Sequence, residues 1–140
     1  IHTKPRTQGG IITLAANEVA DFVEAKFLCV FTESGNSARR LSRLRQKIPM
    51  LAFAPDPAIR RRMAVTWGIQ STLVEHVSHT DRMFLQVDDY LLANDLAKVG
   101  DKVVVISGSP PGIEGTTNDI RIHNVGDAVH GKAPAYQNAG

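Results

Sequence analysis

The chain has 140 residues, 43% of them hydrophobic and 21% charged, with a formal net charge of +2 and a pI near 8.9. That is enough for one domain around one core, and no apolar run is long enough to span a membrane. A single cysteine, Cys29, excludes an internal disulfide, and mild basicity without interleaved aromatics argues against a nucleic-acid partner.

Residues 1–11 are polar, with Pro5, Gly9 and Gly10, and read as a flexible lead-in or the severed end of a longer chain. No secretory leader is visible, so a reducing cytoplasm is the expected compartment. The spacing of Ala15, Val19, Phe22 and Val23 predicts a helix over Thr13–Ala25 with these residues facing inward. Phe27–Phe31 is a continuous apolar run, the pattern of a strand buried on both faces, and is placed at the centre of the sheet. A polar turn, Thr32–Ser37, leads into a helix over Ser37–Gln46 with Ala38, Leu41 and Leu44 at helical spacing. Met50–Ala54 reads as a second buried strand.

Asp56 is placed as an N-cap and Pro57 at the first position of a third helix that ends at Gly68, with Ile59, Met63 and Ala64 inward. Its Arg60–Arg62 run reads as a solvated face. A third strand is expected over Ile69–Val77, then a helix capped by Thr80 and reaching Leu96. Met83, Val87, Tyr90 and Leu91 mark its buried side, and Asp88–Asp89 reads as a solvated acidic pair. Val103–Ile106 and Ile120–Val125 are the last strands. No helix separates them, so the fifth is expected to lie antiparallel at an edge. The fold class is α/β: a three-layer α/β/α sandwich with a mostly parallel sheet of about five strands. The domain is expected to cover 12–126, with a flexible tail over 127–140.

The turn Thr32–Ser37 is the chemically suggestive stretch. A buried strand, a glycine-bearing turn with hydroxyls and a helix start form a pocket suited to phosphate. Thr32, Ser34 and Ser37 offer hydroxyl donors, and Gly35 permits close backbone approach. The plainer alternative, that Ser34 caps the helix and Gly35 merely turns the chain, stays open. No catalytic constellation accompanies the turn. The five histidines lack zinc-like spacing with a cysteine, and neither a nucleophile elbow nor a Walker lysine is present.

Thr32-Glu33-Ser34-Gly35-Asn36-Ser37-Ala38-Arg39 resembles the Thr-x-Ser-Gly-x-Ser-Ala stretch of the C-terminal domain of pyruvate kinase. Pro49–Phe53, Trp67-Gly68-Ile69, Lys98–Val105 and Gly108–Asn118 resemble, in order, further segments of that domain, so the similarity runs from about Asn17 to Val125. The resemblance implies an allosteric and oligomerisation domain. Phosphoryl transfer from phosphoenolpyruvate to ADP, with its magnesium and potassium sites, would then reside in a separate catalytic barrel. It also implies a tetrameric parent and a phosphorylated small-molecule effector. Thr32, Ser34, Gly35, Asn36 and Ser37 would hold one phosphate. The loop bearing Ser109, Gly112, Gly115, Thr116 and Thr117 would close over the ligand.

Glu33 and Asn36 stand where members activated by fructose bisphosphate often carry a basic residue. This shifts the expected ligand to a monophosphate, a nucleotide or no effector at all. A phosphosugar-binding domain of the isomerase type and a stand-alone assembly domain are the competing expectations.

Overall fold

The structure, a computed structural model, describes residues 8–44, 48–77, 79–108 and 117–130. In chain order its elements are α1 (Gln8–Phe22), β1 (Phe27–Phe31), α2 (Asn36–Ser42), β2 (Met50–Ala54), α3 (Pro57–Trp67), β3 (Ser71–Leu73), α4 (Thr80–Ala93), β4 (Lys102–Gly108), β5 (Thr117–Asn124) and α5 (Asp127–His130). The strands make one sheet in the order β3-β2-β1-β4-β5. β1 pairs in parallel with β2 and β4, β2 pairs in parallel with β3, and β5 runs antiparallel to β4 at the edge. The three-layer α/β architecture and the central place of Phe27–Phe31 are as the sequence predicts.

Side chains on a strand point alternately to its two faces, so β1 feeds two cores. Leu28 and Val30 join Ala52, Ala54, Val104 and Ile106 beneath Ala16 and Ala20 of α1, Ala38 and Leu41 of α2 and Met63 of α3. Cys29 joins Leu51, Phe53, Val103 and Val105 against Phe84, Val87 and Leu91 of α4 and Ala128 of α5. Each large apolar side chain buried this way contributes about 1.5–3 kcal/mol.

Several boundaries and faces differ from expectation, each for a local reason. α1 begins at Gln8, inside the stretch read as lead-in, and ends at Phe22 rather than Ala25. Glu24 there adopts a left-handed conformation (φ 57°), and the Ala25 amide reaches back to the Ala20 carbonyl at 2.9 Å. That is a Schellman stop without glycine. α4 ends by the same device at Asp95 (φ 54°), with the Leu96 amide on the Leu91 carbonyl, short of the expected Leu96. β3 spans three residues instead of nine, because its one neighbour, β2, stops at Ala54 and leaves no ladder to extend. α2 closes at Ser42, before Gln46, and α5 forms within the expected tail.

Phe22 and Ala64, expected inward, point out: Phe22 is 90% exposed and Ala64 is exposed. The inward side of α1 is formed by Thr13, Ala16 and Ala20, with Val19 and Val23 at its margin. The expected caps of α3 are in place. The Asp56 carboxylate accepts from the Ala58 amide at 2.8 Å, and Gly68 takes φ 65°. α4 is preceded by His79 at its N-cap instead of Thr80, with no side-chain cap bond.

The largest correction concerns Asp88, expected to be solvated and in fact fully buried. One carboxylate oxygen receives His123 Nε2 at 2.8 Å, and the other receives the Ala128 and Val129 amides at 2.9 and 3.3 Å. His123 is itself buried and stacks on Phe84, ring centroids 4.9 Å apart. One carboxylate therefore joins α4, β5 and the start of α5. Burial acts to raise the Asp88 carboxyl, but His123 and the Gly126 and Ala128 amides outweigh it and hold the carboxyl below its ordinary value. Burial, with the Asp88 charge adding to it, pushes the Cys29 thiol far above its ordinary value and leaves it unreactive.

Asp88→Ala is expected to cost about 3–5 kcal/mol by stranding His123 and the α5 amides, measured by chemical denaturation at pH 7. Because the folded pKa of Asp88 lies below the unfolded one, its contribution is complete at neutral pH. It declines as pH falls below about 3.9 and is lost as pH drops through the folded value, so an Asp88→Asn chain should show a flatter acid limb.

A second expectation concerns Gly35, which leaves β1 at φ 88° and sits 2.9 Å, measured from the position of an added Cβ, from Trp67 Cζ3. Gly35→Ala should destabilise by about 1–3 kcal/mol. Gly68→Ala should cost less, because nothing lies within 4 Å of a Cβ there.

Candidate functional site

The strand order determines where a ligand crevice can lie. From β1 the chain moves to β2 and β3 on one side, then crosses to β4 on the other. Their carboxyl ends leave the sheet together between β1 and β4, where Val30 pairs with Ile106. In open α/β sheets such a switch point is the usual place for a ligand, because the two connections diverge there. The turn Thr32–Ser37 follows β1 at this end.

The structure shows how that turn is held. The Thr32 amide donates to the Phe53 carbonyl at 3.0 Å, which extends the β1–β2 ladder by one residue. The Thr32 hydroxyl accepts from the Gly35 amide at 2.7 Å, and the Ser34 hydroxyl accepts from the Asn36 amide at 3.2 Å. Two amides that the sequence offers to an anion are thus satisfied by the turn's own oxygens. The two hydroxyls keep their protons for an outside acceptor. Gly35 and Ser37 are buried, Asn36 is exposed, and Trp67 lies against Gly35 with the Arg39 guanidinium 5.3 Å above its ring. Of the second expected segment, Ser109, Gly112, Gly115 and Thr116 lie outside the described residues, and Thr117 opens β5.

The acidic residue of the turn reaches across the sheet end. Glu33 Oε1 is 3.5 Å from His76 Nε2, which belongs to the segment after β3. His76 lines a cavity of about 430 Å³ together with Glu75, Val77, His79, Arg82, Leu85, Gln86 and Asp89. The Gln86 amide nitrogen donates to the Glu75 carbonyl at 2.8 Å and fastens this wall to α4. Its Oε1 is buried with no hydrogen-bond partner in the structure. The volume lies within the range of about 300–1,000 Å³ typical of small-molecule sites. The lining mixes two imidazoles and the Arg82 guanidinium with the Glu75 and Asp89 carboxylates, so it offers both hydrogen-bond donors and acceptors.

The sequence named the turn but not this wall. Sequence treats the five histidines only as possible metal ligands, and only a fold that brings the ends of β1 and β3 to one rim shows His76 meeting Glu33. Asp88 and His123 were missed for a different reason, although position 88 lies four residues after Phe84 and three before Leu91, on the buried side of α4. Among the described residues, no group of three or more His, Cys, Asp or Glu is arranged to hold a metal ion, and no helix is long and apolar enough to cross a membrane.

Comparison with known proteins gives this geometry a context. The family described as pyruvate kinase, alpha/beta domain, matches residues 11–123. Pyruvate kinase of Corynebacterium efficiens is 45% identical over 123 residues, covering 88% of this chain and 26% of that protein. Pyruvate kinase of Mycobacterium tuberculosis is 43% identical over the same length and coverage. The chain spans about a quarter of the length of the curated relatives it matches. A solved structure of Cryptosporidium parvum pyruvate kinase in complex with ADP shares the fold, with a TM-score of 0.77 at 23% identity, covering 89% of this chain and 25% of that one. The match over most of the described sheet and helices is decisive: the chain belongs to the pyruvate kinase alpha/beta domain family.

Proposed function

We propose that this chain is the regulatory domain of a pyruvate kinase, and that the crevice at the carboxyl ends of β1 and β4 receives a phosphorylated small molecule. In this reading the catalytic part of the parent polypeptide transfers the phosphoryl group from phosphoenolpyruvate to ADP. The domain adjusts that activity through the ligand it holds. The observation that carries the reading is the meeting of the Thr32–Ser37 turn with the His76–His79–Arg82 wall through the Glu33–His76 contact. The hydroxyl-bearing turn stands at the switch point, and the cavity that carries Arg82 lies beside it, on the side of β3 and α4.

Phosphate would take donors from the Thr32 and Ser34 hydroxyls and the imidazole N–H groups, while Arg82 supplies charge. Glu33 opposes it, being a carboxylate that occupies His76 in the unliganded chain. This favours ligands of modest negative charge, a monophosphate or a nucleotide, over a bisphosphate. A ligand that binds one conformation of the domain more tightly than another would bias it toward that conformation, which is the thermodynamic requirement for regulation.

The test is calorimetric titration of the 140-residue chain with glucose 6-phosphate, AMP and fructose 1,6-bisphosphate. Binding of none of the three, at low salt, overturns the reading. Arg82→Ala should weaken whichever ligand binds. Glu33→Lys removes one repulsive charge, frees His76 and adds a cation, so it should tighten fructose 1,6-bisphosphate about tenfold, roughly 1.4 kcal/mol. That gain should shrink as salt rises, because the rim is open to solvent. The chain by itself should give no turnover of phosphoenolpyruvate and ADP above a buffer blank.

A further inference from the structure

We propose, on the reading of the Thr32–Ser37 turn as a phosphate site, that Trp67 is its positioning residue: the ring is the floor that holds Gly35 in the one conformation that aims the turn's hydroxyls at a ligand. Glycine is the residue least able to hold a conformation by itself, because no Cβ restricts its backbone. Gly35 takes φ 88°, and at the centre of a binding turn such freedom would blur the site. Something outside the turn must therefore select one conformation.

The fold supplies that selection from α3. Ile59, Met63 and Trp67 stand four residues apart on one stripe of the helix. All three meet the place a Cβ would take on Gly35, at 3.4, 3.5 and 2.9 Å, and Trp67 is the nearest. The ring thus occupies the space that the missing side chain leaves. α3 is itself fixed at both ends, by the Asp56 carboxylate on the Ala58 amide and by the Ile69 amide on the Met63 carbonyl at 2.9 Å, just past Trp67. α2 closes the contact from the other side. The Arg39 amide donates to the Gly35 carbonyl at 3.0 Å, and the Arg39 guanidinium returns over the Trp67 ring, 5.3 Å from its centroid.

The consequence reaches the hydroxyls. The Gly35 amide donates to the Thr32 hydroxyl at 2.7 Å in a buried contact, so the Gly35 backbone sets where that oxygen stands and where its proton can point. The Asn36 amide, next along the chain, does the same for the Ser34 hydroxyl at 3.2 Å. A ring withdrawn from beneath Gly35 would leave both donors present but no longer convergent, and a binding turn works only while its donors are held in register. Trp67 acts through Gly35 and needs no contact with the ligand.

Three variants of the 140-residue chain test it, Trp67→Leu, Trp67→Phe and Gly68→Ala, each checked for an intact fold by circular dichroism. Amide hydrogen exchange followed by NMR reads the turn without ligand. Exchange at Gly35 should be about tenfold faster in Trp67→Leu than in wild type and should largely recover in Trp67→Phe, which keeps an aromatic face. It should hold the wild-type rate in Gly68→Ala, which perturbs the same helix end at a place where nothing lies within 4 Å of the added Cβ. Calorimetric titration with glucose 6-phosphate, AMP and fructose 1,6-bisphosphate should rank the chains in the same way, with affinity about tenfold weaker in Trp67→Leu, mostly restored in Trp67→Phe and unchanged in Gly68→Ala. Gly35 exchange or ligand affinity that Trp67→Leu leaves unchanged, a Trp67→Phe chain that restores neither, or a Gly68→Ala chain that loses as much as Trp67→Leu overturns the proposal while the phosphate reading stands. Binding of none of the three ligands by the wild-type chain overturns that reading instead, and the part of Trp67 in binding with it.

Discussion

Everything in this domain hangs on β1 having no free side. Its two edges are bonded to β2 and β4, and its two faces are covered by α1–α3 and by α4–α5. A strand so enclosed can hold only apolar side chains, and Phe27-Leu28-Cys29-Val30-Phe31 supplies them without a break. Polar chemistry is thereby pushed to its ends. The amino end is sealed by the Lys26 amide on the Lys102 carbonyl at 2.7 Å, while the carboxyl end opens at Thr32, where the adjacent connections part company. The polar turn stands there because the core leaves it no other place.

The one polar intrusion into the core follows a different logic. Asp88 and His123 lie on the α4 side of the sheet, where a lone charge would be costly. They are tolerated because the carboxylate is saturated by an imidazole and by the amides at the start of α5. A hydrophobic pair would fill the same space but could not bond to those amides. The pair specifies where the chain goes after β5, tying residues 35 positions apart to a short helix whose Ala128 joins the core beside α4.

The rim and the outer helical face use charge in opposite ways. At the rim, Glu33 and His76 lie 3.5 Å apart and form a contact between the turn and the segment after β3. On the outer face the charges are kept apart by the architecture, with acids on α1 and arginines on α2 and α3, and among the described residues none of them enters an ion pair. Desolvated or matched charge is informative about what a surface excludes, whereas separated charge is informative about what it lacks.

The sequence by itself determined the identity of each strand and most helix starts, because local physics suffices there. Five uniform or alternating apolar runs, the Asp56-Pro57 cap and the Gly68 stop need no distant partner to be recognised. It also placed the Thr32–Ser37 turn at the end of the most buried strand. Tertiary structure alone decided the rest. The order β3-β2-β1-β4-β5 brings His76, after β3, to Glu33, after β1, across the intervening β2, a proximity that no local spacing encodes. Helical spacing gives a periodicity but not a phase. Phe22 was therefore assigned to a core that Ala16 and Ala20 fill, since small residues let α1 lie close to the sheet. Asp88 was assigned to solvent because its two partners, His123 and the amides of α5, come from 35 and 40 residues away. A buried charge is legible only once the groups that satisfy it are in place.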